Sequence, residues 1–247
     1  TTPVQQEQQK VSKHEKSAAM ALFTSLLPPK EEWPSPVHKF YLAFNMDEVI
    51  DPIRQNPNWT GLDAMSRDIP QALIAIEDHA FYNHGAIAVE GILRAALANI
   101  NAGEVVQGGS TLTQQFVKNV FLSHEQSMER KIEEAVLSLM LEDNYSKDEI
   151  LELYLNTTYF GAGSTGIKQA SRTYFGKAPS ALTLAEAAVI ASLPYAPTGL
   201  NPLENPEGCK KRQLLVLAAM HKYGMINQGQ LAEAKAEKIR LTNGTVM

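Results

Sequence analysis

The sequence predicts a mostly α-helical fold. From Asp68 onward, apolar residues recur at spacings of three and four, which is the period of an amphipathic helix. Two segments, 146–149 and 183–186, carry the Ser/Thr-x-x-Glu capping box that marks a helix start. Only residues 37–44 have the composition of a strand, so we expect little sheet.

Prolines and capping residues mark where the predicted elements begin and end. Residues 1–36, rich in Gln, Lys and Ser and then in Pro, are predicted to be a linker and entry segment, and residues 37–247 the folded domain. We expect Asp68 to cap a helix that has Pro70 in its first turn and ends at Glu77. Further helices are predicted at 89–100, 111–121 and 128–139. Each of the two capping boxes is expected to begin another helix, and a last helix is expected to begin at Asn227.

Composition allows one large domain and disfavours several kinds of partner. With 247 residues, 44% of them hydrophobic, the chain can bury the core of one domain, with or without a small lobe. A net charge of −5 with scattered basic residues argues against nucleic acid as a partner. No apolar run reaches the roughly 18 residues of a membrane span. The start at Thr1 predicts a fragment or mature form whose anchor lay upstream.

Two dense polar motifs lie close together in the sequence. The first, residues 77–84, begins with Glu77 and Asp78 and ends with His84. The second, residues 107–119, joins a glycine-rich turn to two glutamines and a lysine, and an Arg-Lys-x-x-Glu segment follows at 130–134. A carboxylate, a flexible turn and several cations in so short a stretch point to transfer chemistry on an anionic leaving group.

Glu77 is the candidate general base. It is expected at a helix end before a polar turn, and a carboxylate shielded from water can take a proton from a sugar hydroxyl. The alternative is an ordinary surface glutamate. For Asp78 a structural role, in which its side chain holds the turn through bonds to the backbone, and a catalytic role both stay open.

The second motif and the Arg-Lys segment predict a diphosphate site. Backbone N–H groups of a glycine-rich turn at a helix start favour a phosphate, and neighbouring amide side chains can bind sugars. Lys131 and Glu134 share a helix face, so Glu134 can orient the base, a cation or a metal. The alternative is a surface salt bridge worth only about 0–1 kcal/mol.

The leaving group decides the type of reaction. A glycosidase needs a second carboxylic acid to protonate a poor leaving group. A sugar diphosphate leaves as a stabilised anion, and Arg, Lys or Mg²⁺ can replace that acid. We therefore expect no organic cofactor, with Mg²⁺ or another divalent cation left open; the spacing of the histidines matches no common zinc site.

Five motifs in order make the chain recognisable. They are Glu77-Asp78-x-x-Phe81-x-x-His84, Gly109-Ser110-Thr111-x-Thr113-Gln114-Gln115, Arg130-Lys131-x-x-Glu134, Lys147-x-x-Ile150-Leu151-x-x-Tyr154-Leu155-Asn156, and Tyr174-Phe175-Gly176-Lys177 with Leu182 and Glu186-Ala187-Ala188. Over residues 69–226 the chain resembles the peptidoglycan glycosyltransferase domain, glycosyltransferase family 51, of bifunctional penicillin-binding proteins and monofunctional cell-wall glycosyltransferases.

The resemblance implies a fold, a reaction and a set of site residues. The fold would be a lysozyme-like helical domain with a small membrane-proximal lobe at roughly residues 84–108. The reaction would be polymerisation of lipid II into glycan strands by inverting transfer, with release of lipid diphosphate. The catalytic residues would be Glu77 and Glu134; the substrate and diphosphate ligands Ser110, Thr111, Gln114, Gln115, Lys118, Asn119, Arg130 and Lys131; and the structural residues Asp78, Phe81, His84 and Asn156.

The resemblance also implies where the enzyme works and with whom. Expected partners are lipid II, the growing glycan strand, the membrane surface, a C-terminal transpeptidase domain and other wall-synthesis proteins. The location would be the extracytoplasmic face of the cell membrane, although an anchor is not present in this chain. Residues 87–106 are the predicted membrane contact, because they carry one arginine and many apolar side chains, among them Ile87, Val89, Ile92, Leu93, Leu97 and Ile100.

Two alternatives stay open. A glycan-cleaving, lysozyme-like lytic enzyme shares the broad fold, but cleavage would not require the motif at 107–118 together with Arg130-Lys131. A catalytically silent scaffold that binds lipid II is favoured by Ala86 and Ala88, because the family usually has Gly at the first of these positions and often Asp at the second.

Overall fold

The computed structural model describes residues 41–42, 44–88, 109–122 and 127–247. The chain divides into two compact units, Thr1–Val49 and Ile50–Met247. The predicted linker, residues 1–36, lies outside the described residues, as does the predicted small lobe apart from residues 84–88. In the described ranges we number nine α-helices: α1 Asp47–Arg54, α2 Asp68–Glu77, α3 Leu112–Phe121, α4 Met128–Asn144, α5 Lys147–Thr157, α6 Ile167–Phe175, α7 Leu184–Ser192, α8 Pro206–Lys222 and α9 Gln228–Ala236.

The mostly α fold class is confirmed. Within the described ranges the only β-type pairings are two isolated bridges, Tyr159 with Thr165 and Arg240 with Val246. The strand predicted at 37–44 is wrong where the structure describes it, because Tyr41 and its described neighbours are helical. The Asn45 N–H donates to the Tyr41 carbonyl at 3.0 Å, which is the i→i+4 bond of a helix.

Three helices form the core of the second unit. Helix α2 packs against α7 and α8, and α7 packs against α8. Eight of the nine residues of α7 are buried, as expected of a helix that is apolar all round. Helix α2 buries Ile69 and the run from Ala72 to Ala75. Glu77 therefore stands at the end of a helix that the core holds on two sides.

A second group of helices lies around α3. Helix α3 packs against both α4 and α5. Its buried side includes Leu112, Phe116 and Val117, and α5 buries Tyr154 among other residues. The second, third and fourth sequence motifs are thereby brought together on three adjoining helices.

The predicted helix starts are mostly confirmed. Thr183, Ser146 and Asn227 each begin a helix with both hydrogen bonds of a capping box. The expected cap at Asp68 is wrong by one residue: Asp68 is the first residue of α2, the residue before it is Arg67, and no side chain caps this end. Asp68 instead hydrogen-bonds with Ser66, so its carboxylate serves the preceding turn.

Helix α4 turns its apolar stripe outward. Met128, Ile132, Val136 and Leu139 are all exposed, whereas Glu134 is buried. An apolar stripe usually marks the buried face of a helix, but here the charged motif faces inward. None of the helices in the described ranges is both long and apolar enough to cross a membrane.

Candidate active site

Glu77 is held by a chain of hydrogen bonds from two neighbouring helices. Gln115 of α3 donates from Nε2 to Oε2 of Glu77 at 3.0 Å. Tyr154 of α5 donates its hydroxyl to Oε1 of Gln115, also at 3.0 Å. Because the tyrosine occupies the amide oxygen, the NH₂ group of Gln115 must point at the carboxylate. Tyr154 thus orients Gln115, and Gln115 in turn orients the carboxylate of Glu77.

Burial raises the pKa of Glu77 above its usual range. The hydrogen bond from Gln115 and the positive charges of Arg212 and Lys118 act in the opposite direction, while the neighbouring charge of Asp78 adds to the rise. The effect of burial outweighs the others. A carboxylate with a raised pKa is a stronger proton acceptor than a solvated one, as a general base requires.

Asp78 joins the first motif to the start of α3. Its Oδ2 accepts from the backbone N–H of Leu112 at 3.0 Å, and its Oδ1 lies 2.6 Å from Nε2 of His84. Phe81, in the same turn, is fully buried beneath the ammonium group of Lys147, which lies 4.5 Å from the ring centre. The carboxylate of Asp78 therefore stabilises this turn through one backbone partner and one side-chain partner.

Three N–H groups at the start of α3 already have partners within the chain. Thr111 donates its N–H to the side chain of Gln114 and accepts the N–H of Gln114, while Leu112 donates to Asp78. The hydroxyl of Thr111 also donates to the carbonyl of Ala86 at 2.8 Å. These groups are therefore engaged in capping, and a phosphate would have to displace them. Substrate contacts by Thr111 and Gln114 stay predictions.

Glu134 forms ion pairs with two basic side chains. It is 1% exposed, Lys131 contacts its Oε1, and Nη1 of Arg130 lies 3.4 Å from its Oε2. Adjacent residues diverge around a helix, yet both long side chains converge on this one carboxylate. Lys131 also donates to the hydroxyl of Ser110 at 3.1 Å. The cluster carries a net positive charge, and the side chain of Lys131 is 45% exposed.

The remaining predicted residues fall into two groups. Lys118 and Asn119 are exposed near the end of α3. Asn156 lies inside the last turn of α5, whose C-cap is Thr158. The amide of Asn156 bonds both the N–H and the carbonyl of Thr60, each at 2.9 Å, because a side-chain amide can pair with a backbone as another backbone does.

Sequence reasoning missed Arg212. It lies on α8, its guanidinium carbon is 4.2 Å from the ring centre of Tyr195, and its charge lowers the pKa of Glu77. The available signal was a run of three basic residues, 210–212, on a helix. Such a run is usually a solvated face, and only the packing of α8 against α2 brings Arg212 close to Glu77.

The described residues contain no group of three or more His, Cys, Asp or Glu side chains placed to hold a metal ion. Glu134, the residue expected to orient a metal, already has both oxygens engaged by cations of its own helix. The surroundings of this carboxylate therefore suit Lys131 and Arg130 better than a divalent cation.

The sequence model of the transglycosylase family matches residues 46–221. This chain belongs to the transglycosylase family. The residues that surround Glu77 and Glu134 all lie inside the matched range. The predicted resemblance is confirmed, and with it the enzyme class, a peptidoglycan glycosyltransferase.

Several relatives of this transglycosylase differ greatly in length. A Cupriavidus necator protein, named only provisionally as a transglycosylase, is 41% identical over 194 residues, covering 78% of this chain and 84% of that protein. Penicillin-binding protein 1A of Neisseria flavescens is 44% identical over 75% of this chain and 23% of its own length. Penicillin-binding protein 2D of Bacillus subtilis is 45% identical over 73% of this chain and 26% of its own length. The transglycosylase spans about a quarter of these two penicillin-binding proteins.

A solved structure is also similar. The crystal structure of penicillin-binding protein 1A from Haemophilus influenzae is 33% identical in sequence and covers 53% of this transglycosylase and 16% of its own chain. The TM-score of 0.38 is too low to add to the fold assignment.

Proposed function

We propose that this chain polymerises lipid II, the lipid-linked disaccharide-peptide, into glycan strands by inverting transfer with release of the lipid diphosphate. One observation carries the proposal: Glu77, a partly buried carboxylate with a raised pKa, shares its surroundings with Lys118 and Arg212, while Lys131 and Arg130 stand on α4, which packs against the helix of Gln115. A base for the acceptor and cations for the leaving group are the two requirements of this transfer.

The reaction begins at Glu77. A hydroxyl of the acceptor sugar gives its proton to the carboxylate as its oxygen attacks the anomeric carbon of the donor. The bond between that carbon and the diphosphate oxygen breaks on the opposite face, so the configuration inverts. Gln115 and Tyr154 keep the carboxylate aimed at the hydroxyl throughout.

The negative charge that develops goes to the diphosphate. Lys131 has an ammonium group that is partly exposed and already within hydrogen-bond distance of Ser110. Arg130 has a buried Nε that lacks a hydrogen-bond partner among the described residues, so it can still serve an acceptor. Glu134 holds both cations in place. Their charge makes a second carboxylic acid unnecessary.

The replacement Glu77→Gln tests the base. It keeps the shape and the bond from Gln115 but removes the proton acceptor, and loss of a general base costs about 10²–10⁴-fold in rate. Polymerisation of purified lipid II is measured alongside circular dichroism, which should be unchanged. A folded variant that keeps more than about a tenth of parental activity would place the base elsewhere.

The replacements Lys131→Ala and Arg130→Ala test the leaving-group role. Each should slow turnover more than it weakens binding, because the charge on the diphosphate is largest in the transition state. By analogy with oxyanion donors the loss is worth about 2–4 kcal/mol. If both variants only raise KM, these cations bind the substrate without assisting the departure of the diphosphate.

The same assay decides between the rivals. A lytic enzyme would shorten existing glycan strands and leave lipid II untouched, whereas a silent scaffold would bind lipid II without consuming it. Adding a chelator and then Mg²⁺ tests whether a divalent cation assists.

We propose that the reaction takes place at the extracytoplasmic face of a membrane. The proposed partners are a transpeptidase domain and other wall-synthesis proteins. Both proposals rest on similarity to the longer penicillin-binding proteins. The contact predicted at 87–106 lies outside the described residues apart from 87 and 88.

A further inference from the structure

Arg212, the cation that approaches Glu77 from α8, stacks on the ring of Tyr195. The guanidinium carbon lies 4.2 Å from the ring centre, and a cation–π contact extends to about 6 Å. A planar guanidinium matches an aromatic face in a way that an ammonium group does not. Among the described residues no hydrogen bond or ion pair holds this guanidinium, and its buried Nε has no partner there. The ring of Tyr195 is therefore the contact that determines where the charge of Arg212 lies.

The backbone that carries this ring is held on two sides. Tyr195 ends a short 3₁₀ helix, Leu193–Tyr195, which follows α7 directly and in which Pro194 restricts φ. On the other side, a Cβ at Gly161, whose φ is +87°, would collide with the carbonyl of Pro197. Only glycine allows this close approach. The segment of Tyr195 is thus fixed both by its own turn and by the loop of Gly161.

Three helices that pack on one another bring Tyr195, Arg212 and Glu77 together. Tyr195 follows the end of α7, Arg212 lies on α8, and Glu77 is the last residue of α2. Each of these helices packs against the other two. The side chain of Tyr195 is 62% exposed, so burial of its ring contributes little to the core. Contact with Arg212 explains the position of this ring better than core packing does.

We propose that Tyr195 is a positioning residue, whose ring holds the guanidinium of Arg212 beside the carboxylate of Glu77. This inference rests on the proposed function, in which Glu77 is the base. Tyr195 acts on that base only through Arg212. Without the ring, the long arginine side chain gains rotamer freedom and its charge moves into water. There the charge is screened from the carboxylate.

The charges around Glu77 give this contact a measurable effect. Burial raises the pKa of Glu77, Arg212 lowers it more than Lys118 does, and Asp78 adds to the rise. Loss of the ring should therefore raise the pKa further, so that the carboxylate binds its proton at higher pH. Titratable groups on the surrounding elements include His79, which stacks on Tyr223 at the end of α8, Tyr154 of α5, and Glu186 of α7, which is paired with Lys177.

Two titrations test the inference. The carboxyl signal of Glu77 is followed against pH by NMR in protein labelled with ¹³C-glutamate, and it is identified by its absence from Glu77→Gln. The acid limb of the polymerisation rate is measured on the same variants. Tyr195→Leu, which removes the aromatic face, should move both titrations to higher pH and should polymerise lipid II several-fold more slowly on the acid limb. Tyr195→Phe, which keeps the face, should titrate like the parent.

Two controls separate a positioning role from a structural one. Tyr159→Leu removes another exposed ring, 45% exposed, on which no described cation stacks, and it should leave both titrations in place. In an Arg212→Gln background, Tyr195→Leu should cause no further shift, because a residue that acts through Arg212 has no effect without it. Circular dichroism checks folding, and Tyr195→Gln, with the same expected shifts, replaces Tyr195→Leu if that variant does not fold.

Four results would overturn the inference. They are a Glu77 signal that titrates alike in the parent and in Tyr195→Leu, equal shifts for Tyr195→Leu and Tyr195→Phe, an equal shift for Tyr159→Leu, and an undiminished effect of Tyr195→Leu after Arg212 has been replaced.

The NMR titration keeps this inference separate from the proposed function, because it needs no substrate. A parent that does not polymerise lipid II refutes the proposed function, whereas the carboxyl signal still decides whether Tyr195 positions Arg212. An acid limb that stays in place while the carboxyl signal shifts would remove Glu77 as the base and leave the role of Tyr195 toward Arg212 supported.

Discussion

At the scale of single residues, Glu77, the proposed base, occupies a position that disfavours its charge. Burial raises its pKa above the value of an unfolded glutamate. The stability linked to this group is therefore fully present below the unfolded pKa and is lost as the pH rises through the folded pKa. The charged form of this proposed base therefore lowers the free energy of unfolding near neutral pH.

The variant Glu77→Gln should for that reason be more stable than the parent near neutral pH. The gap should close as the pH falls below about 4, where both side chains are uncharged. For a chain of this size each 1 kcal/mol would appear as about 2–4 °C in Tm. Thermal melts at about pH 7.5 and about pH 4 measure it. A parent at least as stable as the variant near neutral pH would contradict the argument.

Arg212 and Lys118 should set the pH at which Glu77 becomes active. Both positive charges lower its pKa, Arg212 more than Lys118. Arg212→Gln should accordingly move the acid limb of the pH–rate profile to higher pH, and Lys118→Gln should move it less. Arg212→Lys, which keeps the charge, should recover part of the shift. An acid limb that stays in place in Arg212→Gln would show that this arginine does not act on the base.

Ala86 occupies a position at which the family usually has glycine. A glycine at this position would be expected to restore backbone freedom, but Ala86 is not among the described residues with positive φ, and it is 1% exposed. Ala86→Gly should therefore lower stability by about 0.5–1 kcal/mol, through the entropy of the unfolded chain and a lost methyl contact. It should not raise activity. Urea unfolding and the polymerisation assay check the two parts, and a faster variant would show that the alanine does restrict the loop.

At the scale of helices, Thr111 caps α3 and is also a predicted substrate ligand. Thr111 completes a capping box and bonds the carbonyl of Ala86, so Thr111→Ala should cost about 1–2 kcal/mol. Thr183→Ala is the matched control, since Thr183 caps α7 in the same way and also has a second partner, Glu237. Both variants should lose similar stability in urea, but only Thr111→Ala should lose turnover beyond that loss. Equal kinetic effects would make the cap purely structural.

Helix starts could be predicted from the sequence, but the buried face of α4 could not. A capping box is a contact between residues three apart, so Ser146 and Thr183 carry the signal within their own segments. The orientation of α4 depends on partners elsewhere. Glu134 is buried because Lys131 and Arg130 neutralise it and because α3 packs against α4. The spacing of the apolar residues along α4 gives no information about either interaction.

At the scale of the whole molecule, the motifs indicated which residues meet but not how charge is distributed among them. Glu77 and Gln115 were expected near one another, and they are directly bonded. Arg212, 135 residues beyond Glu77 in the chain, approaches only because α8 packs on α2. Contacts between distant helices, set by the α2, α7 and α8 core, are the part that one sequence without its fold leaves open.

The partly exposed ammonium group of Lys131, which we propose receives a lipid-linked diphosphate, also sets the dimensionality in which the proposed reaction takes place. A lipid-linked donor diffuses laterally in a bilayer, so the quantity expected to govern the rate is the mole fraction of lipid II in the surface. Adding inert phosphatidylcholine at constant bulk lipid II should therefore slow the parent in proportion to surface dilution. A short-chain, water-soluble analogue should be unaffected, and a parental rate that follows bulk concentration alone would contradict a reaction at a surface.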